Sequence, residues 1–387
     1  MGEWKNMIVT IVKNKNAVFL GVICFFICMI LLTAGLWPFN FRPENEVGRL
    51  SNENGILFFG QGMIYSPDPF NSSGHQDFTN AISIQLVVQS RVPQILDIPR
   101  ILSFYDTRKS EVIIIGQWKS ELILRYRNDV NTQNHREAYR ELALDNALTT
   151  DIKHFITITS GASGTAFYLD GQLVKIYRDF HLDYQNIKSL DYIVLGNSPT
   201  GKNYWNGTLF YLAIYDRYLT PGEISQSYLS WKHSGYPSSN NEGLIALYLF
   251  DEGSGKIIRN HRGGAHVLVI PPFFQPLKKT VLLPPWKNFR WSLSCLNDIT
   301  VNIIGFMPFG FFFAAFILKV TPFSRRLVYI ITLLLGATIS LTIELLQAFL
   351  PTRTSSFMDL ICNTTGTALG VIIFSFCLPL LASRKLI

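Results

Sequence analysis

The sequence predicts a multidomain membrane protein: a four-helix α transmembrane bundle plus an all-β antiparallel sandwich inserted after its first helix. Three observations carry this. Four stretches stay apolar for about 20 residues, the length that crosses ~30 Å of hydrocarbon at 1.5 Å per residue. Basic clusters recur in their short flanks. Between the first and second stretches the pattern changes to short alternating strands separated by turn residues.

The first span is Ala17–Trp37, with no charge in it; the others are expected at about 299–318, 327–350 and 360–381. The first apolar run exceeds the 7–15 residues of a signal h-region and no small-x-small cleavage site follows, so it reads as an uncleaved anchor. The expected domains are 1–43 (N-terminus and first helix), 44–290 (sandwich) and 291–387 (three further helices). Lys5, Lys13 and Lys15 precede the first span, Lys319, Arg325 and Arg326 link the second to the third, and Arg384 and Lys385 end the sequence. Four spans put all three clusters on one side, which the positive-inside rule makes cytoplasmic. Both termini are then cytoplasmic and the sandwich extracytoplasmic, in a plasma (inner) membrane. The net charge of +7 is explained by these flanks, so membrane lipids and not nucleic acid are the expected partners. None of the five cysteines lies between Trp37 and Ser294, so no disulfide holds the sandwich, which fits a bacterial envelope protein.

In the middle region Ile82, Ile84, Leu86 and Val88 alternate with smaller or polar residues, as in a half-buried strand. Phe167–Val174 reads as two strands joined by Asp170-Gly171, since a type I′ turn needs positive φ at both central residues. Asp191–Gly196, Gly207–Tyr215 and Leu244–Phe250 are further strands. Thr220-Pro221-Gly222-Glu223 gives an N-cap, a proline at N1 and a capping-box Glu, starting a short helix through about Ser230. The ordered series IKHFITIT, FYLDGQLV, DYIVLGNS and WNGTLFYLAIYDRYLTPGEI resembles the laminin-G and concanavalin-A-like jelly-roll domains over roughly residues 78–230. The resemblance implies binding of glycan or protein, often with a calcium-supported rim. Trp205, Tyr204 and Trp118 are the candidate ligand-binding aromatics, with core packing as the alternative. Asp97, Asp106 and Asp251 are candidate calcium ligands, but no spacing resembles a dedicated oxygen cage, so no metal site and no other cofactor is expected.

The C-terminal spans carry polar residues that hydrocarbon does not favour: Glu344 and Gln347 in the third, Asp359 and Asn363 in the fourth, Asn302 in the first turn of the second, and Arg353 in the loop between the last two. These six form a candidate catalytic pocket opening outward. The structural alternatives are a Ser356-x-x-Asp359 helix cap, headgroup anchoring by Arg353, and interhelical hydrogen bonds from Asn302 and Asn363. The segments DITVNIIGFMPFGFFFA and ISLTIELLQAFLPTRTSSFMDLICNTTGTALG resemble the VanZ-like family of bacterial membrane proteins, matching its pattern at 302, 306, 308, 310, 340, 344, 347, 349, 351, 353, 359, 363, 366 and 370. The resemblance implies an envelope protein related to the cell wall or to glycopeptide resistance, with cell-wall glycan or polysaccharide as partner. The alternative is a membrane enzyme acting on a lipid-linked or headgroup substrate through Glu344. Four spans without a repeated half make a transporter the weaker reading.

Overall fold

A computed structural model describes residues 15–69, 81–91, 98–127, 139–182, 191–237, 242–263, 266–288 and 293–383. Lys5, Lys13, Asp97, Arg384 and Lys385 lie outside the described residues. The chain divides into two compact units, Met1–Phe41 with Lys279–Ile387, and Arg42–Lys278. The described helices are α1 (Lys15–Leu36), α2 (Pro221–Ser234), α3 (Pro285–Asn288), α4 (Leu293–Val320), α5 (Arg325–Gln347) and α6 (Phe357–Ser383).

Among the described residues four helices, α1, α4, α5 and α6, are long and apolar enough to cross a membrane. Because α4 begins at Leu293, Asn302 stands in its third turn and not its first. Pro308 sits inside α4. Lipid offers no hydrophobic drive for helix pairing, so close approach over small residues has to supply contact. A Cβ on Gly366 would lie 2.2 Å from Ile303 O, one on Gly370 2.1 Å from Met307 O, and one on Gly310 2.0 Å from Thr367 O. The α4 and α6 backbones therefore touch along a face that only glycine permits. On α5 the buried residues Val328, Thr332, Gly336, Ser340 and Glu344 recur every four positions, one stripe of one helix face.

The second unit is an antiparallel sandwich of β1 (Val47–Arg49), β2 (Ile56–Phe58), β3 (Ile64–Tyr65), β4 (Ile82–Ser90), β5 (Arg100–Tyr105), β6 (Glu111–Trp118), β7 (Glu121–Arg127), β8 (Tyr139–Leu144), β9 (Lys153–Gly161), β10 (Gly164–Leu169), β11 (Gln172–Tyr177), β12 (Tyr192–Leu195), β13 (Gly207–Tyr215), β14 (Leu244–Tyr248), β15 (Ile257–Ile258) and β16 (Leu268–Val269). One sheet runs β1-β2-β13-β4-β9-β10-β11 with β14 beside β13; the other runs β15-β16-β3-β12-β5-β6-β7-β8. Ile82, Ile84, Leu86 and Val88 enter the core between them, with Ile113, Ile115, Leu122 and Leu124 from the facing sheet. Asp170 (φ 52°) and Gly171 (φ 78°) both take positive φ, joining β10 to β11 as the Asp-Gly pair dictates. Leu244–Tyr248 pairs with β13 and completes the first sheet from the far end of the unit.

Helix α2 starts on the expected capping box and ends on Gly235 in the left-handed region. It covers the outer face of the first sheet, where Val87, Phe155, Tyr168, Tyr211 and Tyr215 form a second apolar layer with Ile224. Arg217 Nη1 and Nη2 hold the Glu223 carboxylate at 3.1 and 2.6 Å, while the Thr220 N–H donates to it at 2.8 Å.

Two predictions follow from this packing. Gly370→Leu is expected to lower the thermal unfolding midpoint of the detergent-solubilised protein by several degrees, because its side chain has only α4 backbone to enter, whereas Gly222→Ala, with open space at its Cβ, leaves it unchanged. Arg217 and Thr220 hold the Glu223 carboxyl down at about 2, against an ordinary 4.5. A depressed carboxylate contributes stability above its unfolded value and loses it as the folded form protonates. The wild-type sandwich should therefore lose more stability between pH 4.5 and pH 2 than Glu223→Gln, read by thermal unfolding at each pH.

Candidate functional site

The polar residues of the helical unit gather where α5 ends and α6 begins, but the structure sorts them differently from the expected pocket. Glu344 is 1% exposed. Its Oε2 accepts the backbone N–H of Ser356 at 2.6 Å. Ser356 is the N-cap of α6: its Oγ accepts the N–H of Asp359, three residues on, at 3.4 Å. In an ordinary capping box the carboxylate at the third helical position returns to the N–H of the cap residue. Here Glu344 takes that N–H from the neighbouring helix. The Ser356-x-x-Asp359 cap is thus present, and a buried carboxylate of α5 completes it.

Asn363, one turn into α6 from Asp359, donates from Nδ2 to Ser340 Oγ at 2.9 Å, tying α6 to α5. Its Oδ1 is buried without a hydrogen-bond partner. Asp359 is half-buried and interacts electrostatically with both Glu344 and Asp298. Asn302 is half-buried on α4.

Gln347 and Arg353 turn away from this group. Gln347 Nε2 donates to Gly35 O at 2.7 Å, and Arg353 Nε and Nη2 both donate to Trp37 O at 2.9 and 2.7 Å. Both occupy carbonyls at the end of α1 that no helical N–H reaches. At the end of α5, Lys279 does the same, donating to Gln347 O at 3.1 Å, Ala348 O at 2.8 Å and also to Leu350 O. Next to it, Leu283 exchanges backbone hydrogen bonds with the α5–α6 loop, to Ser355 O at 2.9 Å and from Phe357 N at 3.1 Å, and Leu282 N donates to Ser355 Oγ at 3.0 Å. The expected open pocket is corrected on this point: Glu344, Gln347 and Asn363 are buried, with the loop bonded to Glu344 and residues 279–283 bonded to that loop and to the end of α5. Lys279 and Ser355 were missed by the sequence reading; neither lies in an apolar run, and nothing in the residue string signals a partner so distant in the chain.

In the sandwich Trp205 is corrected from a candidate stacking surface to core. It is 1% exposed, packs on Phe58 with ring centroids 6.1 Å apart, and donates from Nε1 to Gln117 Oε1 at 2.7 Å. Tyr204, in the β12–β13 connection, and Trp118, at the end of β6, are half-buried. Of the candidate calcium ligands, Asp106 is engaged by Arg127 at 3.0 Å and Arg108 at 3.2 Å. Asp251, Glu252 and His261 bring ligand atoms within 4.8 Å of one another. His261 already bonds Asp251 at 2.9 Å, and Glu252 pairs with Arg49 at 3.4 Å.

Glu344→Ala leaves the Ser356 N–H buried without an acceptor and is expected to cost about 1–3 kcal/mol, whereas Glu344→Gln keeps a carbonyl oxygen there and costs less. Thermal unfolding of both variants in detergent measures the difference. Equal losses would mean that charge, and not the acceptor, is what the site uses.

Comparison with known proteins bears on both units. Residues 245–378 match the VanZ/LLP1 family. The match begins in β14 and extends through α4, α5 and most of α6. Residues 101–225 match the concanavalin A-like lectin/glucanases superfamily. Among solved structures, a Bacteroides ovatus protein named for carbohydrate binding shares 14% identity at a TM-score of 0.39, covering 58% of this chain and 61% of that one. The receptor binding domain of botulinum neurotoxin C/D mosaic serotype shares 13% at 0.39, covering 59% and 63%. This chain thus spans about three fifths of each, and likenesses of that size carry no functional weight. No curated protein matches. The chain therefore combines a VanZ-like segment, residues 245–378, with a concanavalin A-like jelly-roll domain, residues 101–225.

Proposed function

We propose that this chain is a bacterial envelope protein whose four spans hold a saccharide-binding sandwich on the extracytoplasmic side of the plasma membrane. The observation that carries the reading is the pairing itself: a lectin-type sandwich inserted in a helical unit of VanZ-like sequence. Sidedness is supported by Lys319, Arg325 and Arg326 at the α4–α5 link, with Lys5 and Lys13 before α1 and Lys15 at its start. On this reading cell-wall glycan or an envelope polysaccharide is the partner, and loss of the protein changes sensitivity to glycopeptides that act on the wall.

Catalysis at the membrane is a second reading, favoured by one observation: the Glu344 and Asp359 carboxylates interact across α5 and α6 beside a buried Asn363 amide oxygen that lacks a partner. It needs the α5–α6 loop to lift from Glu344. Envelope lipids extracted from cells carrying Glu344→Gln decide it; a profile identical to wild type argues for a structural carboxylate.

The saccharide reading is tested with the full-length protein in lipid nanodiscs, incubated with purified cell-wall sacculi and with soluble envelope polysaccharide and sedimented or captured. Retention above nanodiscs holding an unrelated four-span protein is expected. Retention no greater than that control would sink the reading.

A further inference from the structure

The rim aromatics Trp205, Tyr204 and Trp118 do not account for a saccharide site, since Trp205 is core. Another surface of the sandwich carries a cleft. In β13 the register with β4 slips between Leu209 and Tyr211, so that Phe210 and Tyr211 together oppose Val87. Along a regular strand neighbouring side chains point to opposite faces; a bulge re-aims one of them. Leu209 and Leu212 stay in the inter-sheet core, whereas Phe210 and Tyr211 both join the outer layer under α2.

Helix α2 supplies the opposite wall. Trp231 in its last turn packs on Phe155 at 5.9 Å. Gly235 (φ 76°) then reverses the chain, and Tyr236 comes to rest with its hydroxyl accepting from Asn54 Nδ2 at 2.8 Å. The result is a cleft of about 520 Å³, lined by Glu53, Asn54, Lys153, Phe210, Trp231 and Tyr236 among others. That volume falls in the range of small-ligand sites. Lys153 stands at its edge, ion-paired with Glu53 and with Nζ 4.2 Å from the centre of the Phe210 ring.

The lining has the two halves of pyranose chemistry. One face of a pyranose presents C–H groups that pack on an aromatic ring, and its perimeter presents hydroxyls that donate and accept at once. Phe210 from β13, and Trp231 and the 46%-exposed Tyr236 from the end of α2, offer rings from two sides. Glu53 offers acceptors, Asn54 an amide and Lys153 a donor, at the same rim. Glu53 and Lys153 pair with each other, and Lys232 adds a second ammonium donor to the lining.

We propose that this cleft between α2 and the β13 bulge is where the sandwich binds a pyranose unit of a glycan. The assignment rests on the saccharide reading above and adds the site and the ligand chemistry to it. Trp231→Ala also removes a ring packed on Phe155, so the test uses the exposed positions Tyr236→Ala and Glu53→Gln, with Trp118→Ala as control. Full-length proteins in nanodiscs are titrated with a hexamer of N-acetylglucosamine and a hexamer of β-linked glucose, followed by intrinsic tryptophan fluorescence and calorimetry. Both cleft variants are expected to weaken binding by roughly tenfold with unchanged thermal unfolding, and Trp118→Ala to leave it within about twofold. If wild type binds and the cleft variants bind equally well, the site is overturned while the saccharide reading stands. If wild type binds neither hexamer, nor sacculi nor polysaccharide, both fall together.

Discussion

A carboxylate buried among membrane helices is the constraint around which the helical unit is built. An unpaired charge at the centre of a membrane helix costs about 2.5–3.5 kcal/mol even on insertion scales, and a buried carboxylate nearer a helix end still needs hydrogen-bond donors. Glu344 accepts a hydrogen bond from the Ser356 N–H, at a helix start, where N–H groups are left unclaimed. The consequence is structural in both directions. The α5–α6 loop cannot lift without exposing Glu344 and freeing the Ser356 N–H. With the loop held there, α6 begins in the rotation that points Asn363 at Ser340 and sets Gly366 and Gly370 against the α4 backbone.

The other polar side chains of this region obey the same accounting at different helix ends. Each helix ends with carbonyls that its own N–H groups cannot reach, and outside water those carbonyls need donors. Gln347 and Arg353 serve α1; Lys279 serves α5. A pattern that reads in one dimension as a cluster of catalytic types is thus in large part a set of donors distributed over helix ends. The group that remains around Glu344, Asp359 and Asn363 is smaller, and more buried, than residue types alone suggest.

What was legible in the sequence follows from which physical quantity each feature encodes. Span length and charge sign are written directly in the residue string, and the four helices follow to within a turn or two. Turn chemistry is equally local: Asp170-Gly171 and the Thr220–Glu223 box specify backbone angles through their own side chains. Direction is not local. Gln347 lies one turn from Glu344, yet Gln347 reaches α1 and Glu344 reaches α6, a choice set by which carbonyl or N–H lies open nearby. The strands β5 and β6 were hard to recognise for a related reason. Arg100–Tyr105 is buried throughout and Val112–Gln117 likewise, so the alternation that marks a strand with one wet face is missing. Trp205 was misassigned because its partner, Gln117, lies in a distant strand.

The β13 bulge shows why a site can stay hidden in a chain whose strands are otherwise readable. The string GTLFYLAIY gives a strand at Gly207–Tyr215, but a strict two-residue period would send Phe210 and Tyr211 to opposite faces. One inserted residue changes that parity, leaves the core half of the strand in step on either side, and adds a ring to the outer face. Helix α2 is then decisive, because the same rings without it would form a flat apolar patch. Its capping box fixes where it starts and its glycine cap fixes where it stops, so Trp231 and Tyr236 arrive beside Phe210 as a wall. The capping box that starts α2, plain in the sequence, and the Gly235 cap that ends it thereby shape a cleft whose floor no local signal announces.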